Sequence, residues 1–341
     1  MTYSRPVQRT TDDVAARAVP VRTSDLDGIS PARLKAALQA GALTRLRRGI
    51  VVPTEAWMNA DPHDRHRMAV RAALLAYPGS WASHTSALLL HGVSTLAPSD
   101  VRGLPVVHIS RAGRFYREPG LIVHDQRVND EDLCVLGGLT SSTLIRASIE
   151  VAARRPLGQA LAVIDASMRQ MLVNEGPTSL REAARARTTR LRLYGLWDAR
   201  IAPYSRHRWV TTVRTAARLG NPAAESYLES LSRAAMWQAG FPEPEIGFPL
   251  VGDDGKGYWV DFWWRSARVI GEADGLTKYA TSGHLIAEKL RSEALGIHGA
   301  MCRWGMAQVV PDPLPMLGRL RSAFPYPPIP AEWRFWGAEA A

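Results

Sequence analysis

The chain switches between two hydrophobic periodicities within its first fifty residues. In "SPARLKAALQAGALTRLRRGIVVP" (residues 30–53), Leu34, Ala37 and Leu38 return on one helical face and predict core contact, while Arg33 and Lys35 lie off that stripe. Ser30 is a good N-cap, Pro31 suits the first helical position and Gly41 closes the helix. The next stretch, "LTRLRRGIVV", alternates as two strands with a turn near Arg48-Gly49. Further on, "DRHRMAVRAALLAYPGSWASHTSALLLHGV" predicts two helices, with Ser83 or Thr85 near the second N-cap. "VVHISR" and "LIVHDQRV" read as strands, and "LTSSTLIRASIEVAARRP" and "LGQALAVIDASMRQ" as amphipathic helices.

The last third begins with a helix predicted to open at Asn221-Pro222 and run to Gly240. After it come "EIGFPLV", a Gly/Asp turn, two strands in "YWVDFWWRSARVIGEADGLTKY" (residues 258–279), the helix "SGHLIAEKLRSEALGIHG", the short strand "AMCRW" and a final helix. This order of helices and strands is α/β, with a mixed sheet flanked by helices. The pattern divides the chain into 1–53, 54–172, an Arg-rich helical connector at 173–221, and 222–341. That gives an α/β multidomain protein with an α+β middle domain.

Composition changes the picture mainly through charge. The 341 residues carry a formal net charge of +10, and of the 42 basic residues four are lysine (Lys35, Lys256, Lys278, Lys289) and 38 arginine. Arginine binds phosphate bidentately, so the balance points to a polyanion, most simply nucleic acid; Arg usage tracking a GC-rich genome is the competing source. The connector holds ten arginines between Arg181 and Arg218 against Glu182 and Asp198. It is either a phosphate-tracking surface or a solvated face. Two distant cysteines, Cys134 and Cys302, exclude a disulfide framework and a cysteine zinc site and fit a reducing cytosol. The N-terminus has no apolar signal core and no apolar run reaches about 18 residues, so a cytoplasmic protein with no membrane partner is expected. His84, His91, His108 and His124 match no ligand spacing and fall on different predicted elements, which favours satisfied structural histidines over a metal site.

A short capped helix followed by a basic β-ribbon is the layout of a winged helix-turn-helix. Its second helix, with Arg33 and Lys35, would enter the major groove of double-stranded DNA. Its wing, with Arg45, Arg47 and Arg48, would grip phosphates.

Acids interrupt the strands of residues 258–279. Alternation puts Tyr258, Val260, Phe262 and Trp264 on one face and Trp259, Asp261 and Trp263 on the other; Ile270, Glu272 and Asp274 share a face. If Ser266-Ala267 is a two-residue hairpin loop, Asp261 stands directly opposite Glu272 with Cβ atoms roughly 5 Å apart. Opposed like charges are unfavourable by up to about 1 kcal/mol even when exposed. Buried, they call for protonation or a cation, and a hard divalent ion such as Mg²⁺ suits oxygen ligands. Glu225 adds an acid on the preceding helix, where it also suits the helix dipole. Lys278, four residues past Asp274, is placed to stabilise phosphate charge or is an ordinary surface lysine.

A helix with Glu225, a hairpin with Asp261 and "GEADG", and a basic helix together resemble the PD-(D/E)XK nuclease superfamily, closest to its very-short-patch-repair-like branch. The resemblance covers about 222–320. It implies Asp261, Glu272 and Glu225 as ligands of Mg²⁺ or Mn²⁺, with Asp274 and Lys278 completing the catalytic set for phosphodiester hydrolysis. Asp274 stands where the superfamily usually has lysine, and Lys278 where the branch often has histidine. "LRRGIVV", "WASHTSALLLHGV", "LTSSTLIRASIEVA" and "ALAVIDASMR" resemble AbiEi-type antitoxins. That similarity implies a winged helix that binds its own promoter and a following domain that counters a nucleotidyltransferase toxin. Two functions follow: a metal-dependent endonuclease, or a non-catalytic repressor and antitoxin.

Overall fold

The computed structural model describes residues 20–25, 30–93, 105–113, 115–274 and 282–326. The chain forms two compact units, Met1–Glu150 and Val151–Ala341.

In the first unit the described elements are β1 (Val21–Arg22), α1 (Pro31–Gln39), β2 (Leu43–Arg47), β3 (Ile50–Pro53), α2 (Thr54–Asn59), α3 (Pro62–Ala76), β4 (Trp81–Ala82), α4 (His84–Leu90), β5 (Val107–Arg111), β6 (Tyr116–Glu118), β7 (Leu121–Asp125), β8 (Leu133–Leu136), β9 (Leu139–Ser142) and most of α5 (Leu144–Ala152). α1 starts as the sequence predicts: Ser30 Oγ accepts the Arg33 amide, Pro31 takes the first position, and Gly41 follows with φ 73°. β1, β3 and β2 form one sheet in that order; β6-β7-β5-β4-β9-β8 form a second, mixed sheet. Val70 and Ala73 of α3 close its core against Ala82, Val107, Ile109, Leu121 and Val123.

One predicted DNA contact is redirected. A β-bulge falls between Arg45 and Arg47, and bulges re-aim side chains. Arg47 donates to Glu118 Oε1 at 2.7 Å and to the Gly120 carbonyl at 2.6 Å, and burial pulls its pKa down. It braces the first unit instead of reaching a phosphate. Arg33, Lys35, Arg45 and Arg48 are exposed.

The second unit contains α6 (Leu157–Glu175), α7 (Leu180–Arg185), α8 (Arg187–Ile201), α9 (Val210–Leu219), α10 (Tyr227–Gln238), β10 (Glu245–Val251), β11 (Gly257–Trp264), β12 (Val269–Ala273), α11 (Ser282–Leu295), β13 (Ala300–Trp304) and α12 (Leu314–Ala323). Residues 151–172, read from sequence with the middle block, belong here, because α6 packs on α9 and α10 and buries Leu161, Ile164 and Met168. The sheet order is β10-β11-β12-β13, antiparallel except for the parallel β12–β13 pair. α11 makes the crossover between those parallel strands.

Phe262 stacks on Trp304, and Trp304 Nε1 donates to Ser232 Oγ on α10 at 2.8 Å. Gly271 is required here: a Cβ would meet the Trp304 ring at 2.7 Å. Trp263 and Ile270 pack with Leu250, Val260 and Leu295. Val260 therefore joins Trp263's cluster, although simple alternation assigned it to the Phe262 face. β10 is irregular near this point, with Gly247 at φ 55° between the Ile246–Phe262 and Phe248–Val260 pairs.

A buried polar lock ties α6 to α10. Asp165 Oδ2 accepts from Arg233 Nη1 and from Ser230 Oγ, both at 2.7 Å, and its Oδ1 accepts the Asn221 amide at 2.7 Å. Arg233 also donates to the Leu219 carbonyl. Among the described residues no helix is long and apolar enough to cross a membrane.

Candidate functional site: an acidic pocket rimmed by arginine

The hairpin β11–β12 has the register expected from sequence. Phe262 faces Gly271, Trp263 faces Ile270 and Trp264 faces Val269, and the Arg268 amide closes the turn on the Arg265 carbonyl. Continuing that register sets Asp261 against Glu272. Asp261 Oδ2 accepts the Ala273 amide at 2.7 Å, which fixes its carboxylate beside β12. Glu272 is buried, whereas Asp261 and Asp274 are half-buried.

The helix acid is not the one expected. α10 begins at Tyr227, not at Pro222, because Ser226 is the N-cap and its Oγ accepts the Glu229 amide at 3.1 Å. Asn221 Oδ1 caps the Ala223 amide in a separate turn. Glu225 therefore precedes the helix. It is exposed and ion-paired with Arg169 at 3.0 Å and Arg181 at 3.3 Å. Glu229, one helical turn further on, is buried, and its Oε2 accepts the Glu225 amide at 2.9 Å. Sequence reasoning passed over Glu229, although Ser226-x-x-Glu229 is a capping-box spacing that locates both the helix start and this acid.

Glu225, Glu229, Asp261, Glu272 and Asp274 all line one cavity of about 300 Å³. Gly247 also lines it, so no side chain projects from that point of β10. The rim is basic: Arg169 from α6, Arg181 and Arg185 from α7, and Arg291 from α11. Arg181 lies over the Trp259 ring at 4.8 Å and Arg185 over Phe248 at 4.5 Å. Part of the Arg-rich connector thus serves the pocket, while Arg190 and Arg192 pair with Glu243 and Glu175. Arg291 Nη2 donates to Glu272 Oε1 at 2.8 Å and to the Trp259 carbonyl at 2.7 Å. Lys278 lies outside the described residues.

Burial and crowding favour the protonated forms of the two buried glutamates. Burial, aided by the charge of Asp261, pushes Glu272 up to about 7 against the opposing pull of Arg291. Burial and Asp261 push Glu229 up to about 7 as well. Both folded-state pKa values exceed the ordinary 4.5, so folding favours the protonated forms. The stability they contribute is full below about pH 4.5 and is lost as pH rises through about 7. Asp261→Asn keeps an acceptor for the Ala273 amide and removes the charge both glutamates share. It is expected to be more stable than the unaltered protein at pH 8 by about 1–2 kcal/mol, and close to it at pH 5. Urea denaturation at the two pH values measures this; equal destabilisation at both would refute shared repulsion.

The fold gathers three of the four histidines that sequence spacing left apart. His84, His108 and His124 do fall on different elements, but the fold brings them together with ligand nitrogens all within 4.8 Å. His91 sits apart, against the Ser142 carbonyl. Spacing along the chain carried no such signal, because adjacent strands create the proximity.

Fold and site define an α/β multidomain protein whose second unit carries an acid-floored, arginine-rimmed pocket on a mixed sheet. The chain is 27% identical over 214 residues to two proteins of Mycobacterium tuberculosis, "Uncharacterized protein MT2308" (strain CDC 1551 / Oshkosh) and "Uncharacterized protein Rv2248" (strain ATCC 25618 / H37Rv). The match spans 62% of this chain and 70% of each relative. No family model matches the chain.

Proposed function

We propose that the second unit hydrolyses phosphodiesters of nucleic acid with Mg²⁺ or Mn²⁺, and that the first unit binds double-stranded DNA. The observation that carries this reading is the pair of buried glutamates, Glu229 and Glu272, held near pKa 7 around Asp261 in a pocket rimmed by four arginines. Such a floor favours a cation, and such a rim favours a polyanion.

The donor set fits a hard divalent ion, which commonly takes one or two carboxylates and leaves other positions to water and phosphate. Among the described residues no three carboxylates bring their oxygens as close together as the three histidines bring their nitrogens. Asp261 and Glu272 would hold the ion, with Glu229, not Glu225, as the third acid. Held there, the ion would supply charge neutralisation and a more acidic water. Arg169, Arg181 and Arg185 bind the phosphate backbone at the rim, with Trp259 backing the Arg181 guanidinium. Asp274 orders the floor through its amide, which donates to the Trp304 carbonyl at 2.9 Å.

Because both glutamates titrate near neutrality, divalent binding at pH 6.5 displaces protons. Calorimetric Mn²⁺ titrations in buffers of different ionisation heat are expected to show one site with net proton release, lost in Asp261→Asn. A buffer-independent heat, or the same binding in Asp261→Asn, would place the ion elsewhere.

One observation favours a second reading, a non-catalytic regulator or antitoxin that uses the pocket only for contact: Arg291 already neutralises Glu272. DNA binding is common to both readings. For the first unit, Arg45→Ala/Arg48→Ala is expected to weaken binding and to flatten the salt dependence by roughly 2 in log–log slope. An unchanged slope would remove the β2–β3 ribbon from the interface.

A further inference from the structure

We propose that His84, His108 and His124 form a transition-metal site of the zinc class in the first unit, separate from the acidic pocket. His108 and His124 come from β5 and β7, parallel neighbours in the six-stranded sheet, and His84 opens α4. His108 Nδ1 and His124 Nε2 lie 3.0 Å apart. Two nitrogens on one tetrahedral Zn²⁺, each at about 2.0–2.1 Å, sit roughly 3.3 Å apart, so this pair needs little movement to share an ion.

The His84 backbone is fixed beside this pair. Its φ of 51° is unusual for a residue with a side chain, and the strain is fixed by Glu150, whose Oε2 accepts the His84 amide at 2.9 Å. His84 Nδ1 faces Ser83 Oγ at 3.1 Å and Glu150 Oε2 at 3.6 Å, which assigns Nε2 to the metal. A carboxylate behind a ligating imidazole is the usual outer-shell arrangement, fixing the tautomer and raising ligand basicity. Glu150 is itself buried and anchored by Arg146 Nε at 2.9 Å and Ser142 Oγ at 3.4 Å. The His84 ring stacks on His124 with centroids 3.7 Å apart. It must therefore turn out of the stack to complete the site.

Three imidazoles select Zn²⁺, Co²⁺ or Ni²⁺ over Mg²⁺, and a fourth position is left to water. The ion would clip α4 to β5 and β7.

The test uses the full chain after EDTA treatment, titrated with CoCl₂. One equivalent is expected to give the visible absorption of four-coordinate, nitrogen-ligated Co²⁺, displaced by Zn²⁺ but not by Mg²⁺, with a higher melting temperature in Zn²⁺. Asp261→Ala/Glu272→Ala is expected to keep the band, so failure of the acidic pocket and failure of this site are read separately. His108→Gln, at the half-buried position, is expected to abolish the band while remaining folded by circular dichroism. Glu150→Gln is expected to weaken Co²⁺ binding roughly 10–100-fold. A folded, unaltered protein with no Co²⁺ band and no Zn²⁺-dependent melting shift would overturn the proposal and leave a metal-free histidine stack. Retention of the band in His108→Gln would equally reject this ligand set.

Discussion

Asp165→Ala is expected to lower the stability of the second unit by about 3–5 kcal/mol, the usual cost of stripping one partner from a buried ion pair. Arg233 is 5% and Asp165 1% exposed at the side chain, so the deserted guanidinium is left almost wholly out of bulk water. The Asn221 amide loses its acceptor in the same step, and Ser230 Oγ keeps only the Ser226 carbonyl at 3.3 Å. The consequence reaches the pocket, because α10 carries Glu229 and the segment from Asn221 leads to its cap at Ser226. Arg169, on the same α6 helix as Asp165, also holds the Pro222 carbonyl and Glu225. Urea denaturation followed by tryptophan fluorescence reads the change. A loss below about 1 kcal/mol would mean that α6 and α10 are held by apolar packing alone. Asp165→Leu/Arg233→Met is expected to recover most of the loss, since replacing both members of such a pair with apolar groups is often close to neutral.

The sequence made some of this legible and concealed the rest for identifiable reasons. β11 and β12 were readable because strong apolar residues flank the turn, and a slip of one residue would have moved Trp263 and Ile270 off their core face. That is why the Asp261–Glu272 pairing could be anticipated. α1 was readable because Ser30, Pro31 and Gly41 are local signals with local causes. Arg47 was misassigned because its partners, Glu118 and Gly120, lie more than seventy positions along the chain. Glu229 was overlooked because Asn-Pro at 221–222 suggested an earlier helix start, yet Ser226 supplies the cap. The histidine cluster depends on β5 pairing parallel with β7, a non-local choice that no spacing encodes. The bound at 172 differs from the division at 150–151 for a similar reason: the α6 helix reads as amphipathic in either context, and only its packing partners decide which unit it joins.

The second large effect concerns the chemistry. If Asp261 and Glu272 hold the ion, removing both carboxylates takes away the metal and leaves Arg291 without its partner in the floor. Nucleic-acid affinity should survive, because Arg169, Arg181 and Arg185 stand on other elements and would bind phosphate without the ion. Hydrolysis should not survive, since the rim arginines can offset phosphate charge but cannot acidify a water as the ion would. Arg291→Ala separates the two readings further: under the enzyme reading it frees Glu272 for the ion and leaves cleavage at least as fast, whereas under the regulator reading it changes no chemistry because there is none.

The most direct measurement is a nicking assay on supercoiled plasmid and on labelled duplex oligonucleotides, in Mn²⁺ or in EDTA, with the unaltered protein beside Asp261→Ala/Glu272→Ala. Mn²⁺-dependent cleavage is expected of the unaltered protein, and cleavage at the EDTA background of the double variant, which still binds the duplex. No cleavage of either substrate by folded protein that binds Mn²⁺ and DNA, or undiminished cleavage by the double variant, would contradict this expectation.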